Sequence, residues 1–360
     1  MNKVLNYFKE NIVEKPIVRN SRIYGWKFEY EHLIVSSISK YLFSDLEIKE
    51  NIAPSTNTNR DGRKMESVEY ICVHDTGDTD FDHTAGFWSN VVSVQNWEMG
   101  RYEASFQYVT GNDGVYHNIP DDEIGYHAGD GTQKPYKLYD TGLTGDNLNP
   151  VVSISEDGYF LIDGIKSKVL APRAYREKDS KVLYDRIAKT EEIVTQGIEC
   201  LNRNGKYMIG ETWWSPGYGR VANKGGNCNS IGIESCINVG TDIYLTWQIT
   251  AKLVAKLLDE NKLSFDRVKQ HNFFSGKNCP QSIRMNGFWD HFMELVKMEY
   301  DCLKFKQEGY KISLIVNDKD ILDNGRIIKR DFNEKPRKCP YVIQTEYNGK
   351  KEEATFEIEI

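Results

Sequence analysis

A short stretch of the chain, QHNFFSGKNCPQSIR at residues 270–284, places three chemically useful side chains close together. His271 and Cys279 are separated by seven residues, and Lys277 lies between them. Ser, Gly and Pro interrupt the segment and its two aromatic residues are adjacent, which is typical of a loop. Such a loop can bend so that an imidazole nitrogen and a thiolate sulfur bind one metal ion, and this ligand pair favours zinc over magnesium or calcium.

A catalytic zinc usually has three protein ligands and a water, so a third ligand is needed. His74 is the natural third, because it ends the apolar run YICVH immediately before the turn residues Asp, Thr and Gly. The ends of buried strands often carry functional groups in α/β proteins. Spacing alone leaves a second interpretation open, in which the three side chains are unrelated.

Two further side chains would complete a hydrolytic site. Glu234 shares one face of the apolar segment NSIGIES with Gly232, and a carboxylate in such a strand must be paired, solvated or functional. Beside a zinc-bound water, Glu234 would accept a proton and Lys277 would stabilise a developing oxyanion. The alternatives are a strand with one solvated face and an ordinary exposed lysine.

The elements that must position these residues alternate between strands and helices. Apolar runs predict buried strands at residues 68–73 and 229–240, and the turn residues 112–114 predict a hairpin. A helix is predicted over 241–260, capped by Thr-Asp, and another over about 286–304. These elements are typical of the α/β fold class.

Other segments flank or interrupt this core. Residues 178–203 have apolar side chains at helical spacing and are predicted to form a helix. Residues 51–64 are rich in turn-forming residues and are predicted to be a linker. From about residue 308 short alternating runs predict a small all-β region. Four N-terminal apolar residues fit one helical face loosely: Leu33, Ile38, Tyr41 and Leu42.

Four segments together resemble the zinc-dependent type 2 N-acetylmuramoyl-L-alanine amidases, whose fold is shared by phage lysozyme-type amidases and peptidoglycan recognition proteins. They are VHDTGD at 73–78, YHAGDG at 126–131, NSIGIESCIN at 229–238 and HNFFSGKNCP at 271–280. The resemblance implies an α/β fold with a central mixed β-sheet flanked by helices. It also implies an enzyme that hydrolyses the amide between N-acetylmuramic acid and L-alanine in peptidoglycan, as phage or prophage endolysins and autolysins do.

The resemblance also implies roles for individual residues. His74, His271 and Cys279 would bind one Zn²⁺ per chain. Glu234 would be the general base, and Lys277 would stabilise the oxyanion.

The resemblance places one further residue, His127, near the substrate cleft. Two tryptophans of an insertion are also candidates for substrate contact. His127, in the HAG segment, matches a family histidine near the cleft and is not expected to be a metal ligand. Family members usually pass from HAGDG to NSIGIE by a short connection, whereas here about 95 residues intervene, from 132 to about 226. Trp213 and Trp214 near the end of this insertion are either stacking residues for sugar rings or the stem peptide, or packing residues of the insertion.

The expected domain organisation has three parts. An N-terminal helical extension and linker would cover residues 1–62, and the zinc amidase domain would cover 63–304 with its insertion. A small β-rich module would cover 305–360.

Composition limits the partners and leaves two other functions open. A net charge of −7 argues against a nucleic-acid binder, and no apolar window is long enough for membrane insertion. The N-terminus lacks the pattern of a signal peptide, so cytoplasmic synthesis with later access to the wall is expected. Peptidoglycan is the expected partner. The alternatives are a non-catalytic peptidoglycan-binding protein on the same fold, and a zinc amidase for a different acyl-peptide.

Overall fold

The structure of the protein is a computed structural model that describes most of the chain. The described ranges are 2–12, 14–17, 21–23, 26–28, 33–60, 62–94, 104–131, 138–147, 150–178, 180–190, 200–210, 225–284, 287–317, 327–329 and 337–359.

The helices lie towards the two ends of these ranges, and a long run of strands lies between them. The helices are α1 (Lys3–Asn11), α2 (Lys40–Phe43), α3 (Ala85–Val94), α4 (Ile243–Asn261), α5 (His271–Ser275), α6 (Gln281–Arg284) and α7 (Trp289–Gln307), with a 3-10 turn at Phe265–Arg267. The strands up to the insertion are β1 (Glu14–Ile17), β2 (Ser21–Ile23), β3 (Trp26–Phe28), β4 (Leu33–Ser36), β5 (Ile48–Glu50), β6 (Tyr70–Asp75), β7 (Tyr108–Gly111) and β8 (Gly114–His117). The later strands are β9 (Leu138–Thr144), β10 (Val152–Ile154), β11 (Tyr159–Ile162), β12 (Ile165–Leu170), β13 (Arg173–Lys178), β14 (Lys181–Ile187), β15 (Cys200–Arg203), β16 (Lys206–Gly210), β17 (Ser230–Ser235), β18 (Val268–Gln270), β19 (Lys311–Val316), β20 (Ile327–Lys329), β21 (Lys338–Tyr347) and β22 (Lys350–Glu359).

A six-stranded mixed sheet forms the centre, in the order β18-β6-β17-β7-β8-β5. Strands β18, β6, β17 and β7 run parallel to one another, whereas β7 and β8 form an antiparallel hairpin. The hairpin turns at Asn112 and Asp113, as predicted. The α/β class with a central mixed sheet is therefore confirmed.

Helices cover both faces of this sheet. On one face Ile71, Val73 and Ile233 share a buried cluster with residues of α4 and α7, including Leu253 and Phe292. On the other face Val109 packs with Ala85 and Trp88 of α3. Strand alternation assigns Cys72, His74 and Glu234 to this second face, because their neighbours Val73 and Ile233 point to the first.

The predicted helix after residue 240 is confirmed, and its ends follow from local chemistry. The Asp242 side chain caps it by accepting a hydrogen bond from the Leu245 N–H at 3.0 Å. Lys262 ends it in the left-handed conformation, at a φ of 54°. The predicted last helix corresponds to α7.

The insertion folds as a set of small antiparallel sheets with its own buried cluster, which includes Phe160, Tyr207 and Ile209. The predicted helix over 178–203 is wrong over residues 181–187 and 200–203, which form β14 and β15. Ser180, at a φ of 60°, stands at the turn between β13 and β14, and the Val-Leu-Tyr run that follows favours a strand.

The N-terminal and C-terminal regions share one hydrophobic cluster. Val4, Leu5 and Phe8 of α1 pack with Ile343 and Ile358 of the three-stranded sheet β19-β21-β22. β20 also pairs with β4. The small C-terminal all-β sheet is confirmed, but it is packed against the start of the chain.

The predicted helical extension at residues 1–62 is wrong in part. The described residues 33–36 form β4 where a helical face was expected, and β5 joins the central sheet through β8. The predicted linker is packed, because Arg60 donates to both Glu123 carboxylate oxygens at 2.7 and 3.0 Å. The division into three domains stays a prediction. None of the helices in the described ranges is both long and apolar enough to cross a bilayer.

Candidate metal centre

Three neighbouring parallel strands bring the predicted residues to one edge of the central sheet. His74 lies near the carboxyl end of β6, and Glu234 is its Cα partner on β17. β18 pairs with the other side of β6, and His271 follows β18 directly. Because carboxyl ends of parallel strands meet at one edge, three segments far apart in the sequence converge there.

The three predicted metal ligands lie around one point. One ligand atom from each of His74, His271 and Cys279 lies within 4.8 Å of the others. Nδ1 of His74 is 3.8 Å from Sγ of Cys279, and the two imidazole ring centres are 4.6 Å apart. Nitrogen and sulfur ligands of a tetrahedral zinc are separated by about 3.5 Å, so small side-chain movements would suffice to bind the ion.

Two atoms at this centre have no hydrogen-bond partner among the described residues. They are Nδ1 of His271 and Oε2 of Glu234, and both are buried. A buried polar atom without a partner is costly. A cation bound by His271 would satisfy its Nδ1, and the positive charge would favour the Glu234 carboxylate beside it. Burial also holds the pKa values of His74 and His271 well below the usual range, so both rings are neutral, as metal ligands must be. The residues present therefore fit a metal ion.

The loop that carries Cys279 is tied to the end of β6. The backbone N–H of Asp75 donates to Sγ of Cys279 at 3.4 Å. The Asp75 carboxylate accepts hydrogen bonds from the backbone N–H and the hydroxyl of Ser282, at 2.6 and 2.9 Å. The backbone N–H of Asn272 donates to the Cys279 carbonyl at 3.1 Å, which closes the loop on itself. Asp75 thus connects the strand of one ligand to the loop of another.

Sequence reasoning did not identify Asp75. The signal available was a buried carboxylate directly after His74 in VHDTGD, where an unpaired charge would be costly.

Burial raises the pKa of the Cys279 thiol to about 12, although the positive charge of Lys277 acts in the opposite direction. Metal ligation requires the thiolate, so binding a cation here releases a proton.

Glu234 is a buried carboxyl group beside the three clustered side chains. Oε1 lies 3.7 Å from Nδ1 of His74. Burial raises the pKa of Glu234 to about 8, against the opposing charge of Lys277. A carboxylate with a pKa near neutrality can both accept and return a proton in one reaction cycle.

Lys277 supplies positive charge to the centre. Its ammonium group acts on the pKa values of Glu234, His74 and Cys279. Asn272 holds the backbone of Lys277, because its amide donates to the Lys277 carbonyl at 2.9 Å. A lysine held in this way can stabilise negative charge that develops on a substrate oxygen.

His127 and Cys72 both contact Nε2 of His74, the ring nitrogen other than the one nearest Cys279. Nε2 of His74 lies 3.0 Å from Nδ1 of His127 and 3.0 Å from Sγ of Cys72. Nε2 of His127 is 3.4 Å from the Ser230 carbonyl. Both ring nitrogens of His127 are therefore engaged with protein atoms. Burial lowers its pKa to about 4, so the ring is neutral at pH 7.

The two predicted stacking residues of the insertion, Trp213 and Trp214, lie outside the described residues. Their role stays a prediction.

Comparison with known proteins gives the same assignment as the motifs. No family model matches the chain. N-acetylmuramoyl-L-alanine amidase CwlA of Bacillus subtilis (strain 168) is 31% identical over 143 residues, covering 39% of this chain and 48% of CwlA. N-acetylmuramoyl-L-alanine amidase XlyB of the same organism is 34% identical over 114 residues, covering 31% of this chain and 32% of XlyB. This chain is related in sequence to the N-acetylmuramoyl-L-alanine amidases.

The amidase relationship covers part of each protein. The chain spans about half the length of CwlA, at 48%, and about a third of XlyB, at 32%. Among solved structures, the catalytic domain of XlyA gives a TM-score of 0.41 at 20% identity, over 70% of this chain and 99% of that chain. PlyL gives a TM-score of 0.38 at 16% identity, over 70% of this chain and 97% of that chain.

Proposed function

We propose that this protein is a zinc-dependent amidase that hydrolyses the bond between N-acetylmuramic acid and L-alanine in peptidoglycan. The observation that carries the proposal is the convergence of two neutral imidazoles and one thiol on a single point, with Glu234 beside them. The sequence relationship to curated amidases supports the reaction class.

The ligand set favours zinc among the common divalent metals, because nitrogen and sulfur ligands suit it better than magnesium or calcium. His74, His271 and Cys279 would hold one ion per chain. When bound, zinc polarises a carbonyl group and lowers the pKa of a bound water to about 7.

Side chains of the protein carry out the proton transfers and stabilise the charge that develops in the reaction. Glu234 accepts the proton that the attacking water loses as its oxygen adds to the lactyl carbonyl carbon. Lys277 offsets the negative charge on the carbonyl oxygen of the resulting tetrahedral species. Glu234 then donates the proton to the alanine nitrogen as the carbon–nitrogen bond breaks. The products are a lactyl carboxylate on the glycan and a peptide with a free amino terminus.

The proposed partner is therefore cell-wall peptidoglycan, with the glycan strand and the stem peptide both contacting the protein. A phage or prophage endolysin, or an autolysin, would act on this substrate at the cell wall. Trp213 and Trp214 are proposed to contact this substrate.

Digestion of purified cell walls tests the proposal. The full-length protein is stripped with a chelator and reloaded with Zn²⁺, and both forms are incubated with peptidoglycan. We expect the loaded form alone to release peptides with amino-terminal L-alanine, identified by mass spectrometry, while the glycan chains stay uncut.

Three other results would each overturn the proposal. Wall binding without release of amino groups would indicate a non-catalytic binding protein. Zinc-dependent cleavage of a model acyl-peptide, with inert walls, would indicate another substrate. Equal activity of the stripped and loaded forms would remove the metal from the reaction.

A further inference from the structure

The ring of His127 packs against the central sheet at Gly232, where the absence of a side chain leaves room for it. A Cβ atom at Gly232 would lie 2.7 Å from Cγ and Cδ2 of His127, and 2.8 Å from Cε1. Such distances are far below van der Waals contact, so any side chain at Gly232 would displace the ring. Gly232 is the Cα partner of Cys72 on β6, two residues before His74. The ring therefore rests on the sheet directly beside the metal centre.

The backbone of His127 is fixed independently of its ring. The side-chain oxygen of Asn227 accepts hydrogen bonds from the N–H groups of His127 and Ala128, at 2.9 and 2.7 Å. The Gly232 N–H donates to Oε1 of Gln107 at 2.8 Å. Side-chain hydrogen bonds thus hold both the segment that carries His127 and the strand β17 that carries Gly232.

The hydrogen-bond partners of His127 determine which of its nitrogens carries the proton. A carbonyl oxygen can only accept, so the contact with Ser230 requires Nε2 of neutral His127 to be the N–H donor. Nδ1 of His127 then has a lone pair, which can only accept from Nε2–H of His74 at 3.0 Å. The Cys72 sulfur, at 3.0 Å from the same nitrogen, is a weak second acceptor.

We propose that His127 is a positioning residue that holds His74 as its Nε2–H tautomer, so that the lone pair of Nδ1 faces the metal centre. Nδ1 is the nitrogen of His74 that lies 3.8 Å from Sγ of Cys279 and 3.7 Å from Oε1 of Glu234. A ligating histidine usually donates its other N–H to a neighbouring group, and such partners affect metal affinity by about 10- to 100-fold. Here that partner is a second histidine, His127, which is oriented by the Ser230 carbonyl and packs against Gly232.

This inference rests on the metal site of the proposed function, but not on its substrate. It also gives His127 a different role from substrate binding.

The first test reads the tautomer in the unaltered protein. With ¹⁵N-labelled histidines and no metal, two-bond nitrogen–proton NMR correlations distinguish Nδ1–H from Nε2–H imidazoles. We expect both His74 and His127 to be Nε2–H. A His74 ring protonated on Nδ1 would overturn the proposal.

The second test measures Zn²⁺ affinity by competition with a chromophoric chelator. His127→Leu removes the acceptor, whereas His127→Asn keeps an oxygen near the position of Nδ1. Gly232→Ala displaces the ring without removing any polar atom. We expect His127→Leu and Gly232→Ala to weaken Zn²⁺ binding by about 10- to 100-fold, and His127→Asn to restore much of the loss.

Controls separate this effect from misfolding and from the proposed function. His117→Leu removes a histidine on β8, outside the metal centre, and should bind Zn²⁺ as the parent does. Parent-like affinity in both His127→Leu and Gly232→Ala, with folding verified by circular dichroism, would overturn the inference. If the parent binds Zn²⁺ with the expected tautomer but leaves cell walls intact, the proposed substrate fails and the inference stands.

Discussion

Oε1 of Glu234 lies 3.7 Å from Nδ1 of His74, and the two residues are Cα partners on neighbouring parallel strands. This distance depends on strand register, because a shift of one residue would point Glu234 to the opposite face of the sheet. The same register places the glutamate next to the metal centre without making it one of the three clustered ligands. Metal binding and proton transfer are therefore expected to be separable by mutation.

Glu234→Gln should keep the metal and lose most of the rate. The amide has nearly the same shape as the carboxylate but cannot accept the proton of the attacking water. We expect a decrease of about 10²- to 10⁴-fold in peptide release, with zinc content unchanged by elemental analysis. An active Glu234→Gln protein would remove this residue from the mechanism.

Cys279→Ala should lose both metal and activity. The thiolate is the one anionic ligand of the proposed set, and two imidazoles alone bind zinc weakly. Zinc content after dialysis is the measurement. Cys302→Ala is the matched control, because Cys302 is equally buried but belongs to the cluster shared by the two ends of the chain. Retention of stoichiometric zinc by Cys279→Ala would contradict the ligand assignment.

Lys277→Met should keep zinc and slow turnover. Methionine retains most of the apolar length of lysine and removes the charge that stabilises the oxyanion. We expect kcat to fall by about 10²- to 10³-fold, as for the loss of one oxyanion-stabilising group. Lys269→Met, on β18, is the control for removing a nearby positive charge. Unchanged turnover in Lys277→Met would show that Lys277 shifts the pKa values of its neighbours but does not stabilise the oxyanion.

Phe8→Ala should destabilise the terminal regions and spare the metal centre. Phe8 is fully buried and packs edge-to-face on Phe43, with ring centres 5.5 Å apart. Truncating a buried phenylalanine costs about 3–5 kcal/mol. Urea denaturation should detect this loss, whereas Phe81→Ala, at a site that is 75% exposed, should change stability little. An equal effect of both substitutions would argue against the shared cluster.

Glu299→Gln should reduce the dependence of stability on pH. Glu299 is buried, and burial raises its pKa from the ordinary 4.5 to about 7, although it accepts a hydrogen bond from Lys252 at 2.7 Å. Because the folded state binds the proton more tightly, this group stabilises the fold below pH 4.5, and the contribution is lost as the pH rises through 7. The loss is about 3 kcal/mol.

Denaturation midpoints of the parent and Glu299→Gln at pH 4.5 to 8 provide the measurement. The parent should lose stability across this window more steeply than the variant. Parallel curves would show that the carboxyl group is ionised throughout.

Local patterns in the sequence predicted the central elements well. The hairpin at residues 112–114 and the capped helix after residue 240 depend on contacts between near neighbours, and the strand that contains His74 follows from its own apolar run. All three are present. The helix predicted over 178–203 is wrong where the described residues form β14 and β15. Apolar residues that are spaced to suit a helix in a short window also suit a strand, and pairing with β13 decides between them.

Contacts between distant segments could not be predicted in the same way. Asp75 meets Ser282 across more than two hundred residues, and Phe8 meets the cluster of β21 and β22 from the other end of the chain. Such contacts follow from strand order and register, which no window of the sequence records.

By itself the sequence determined the kinds of atoms available to the site: two imidazoles, a thiol, a carboxylate and an ammonium group, each at a strand end or in a loop. Only the tertiary structure decided that β18, β6 and β17 are neighbours, and that the glycine on β17 leaves room for the ring of His127. The physical reason is that ligand chemistry belongs to individual residues, whereas the direction of a lone pair depends on every group packed around it.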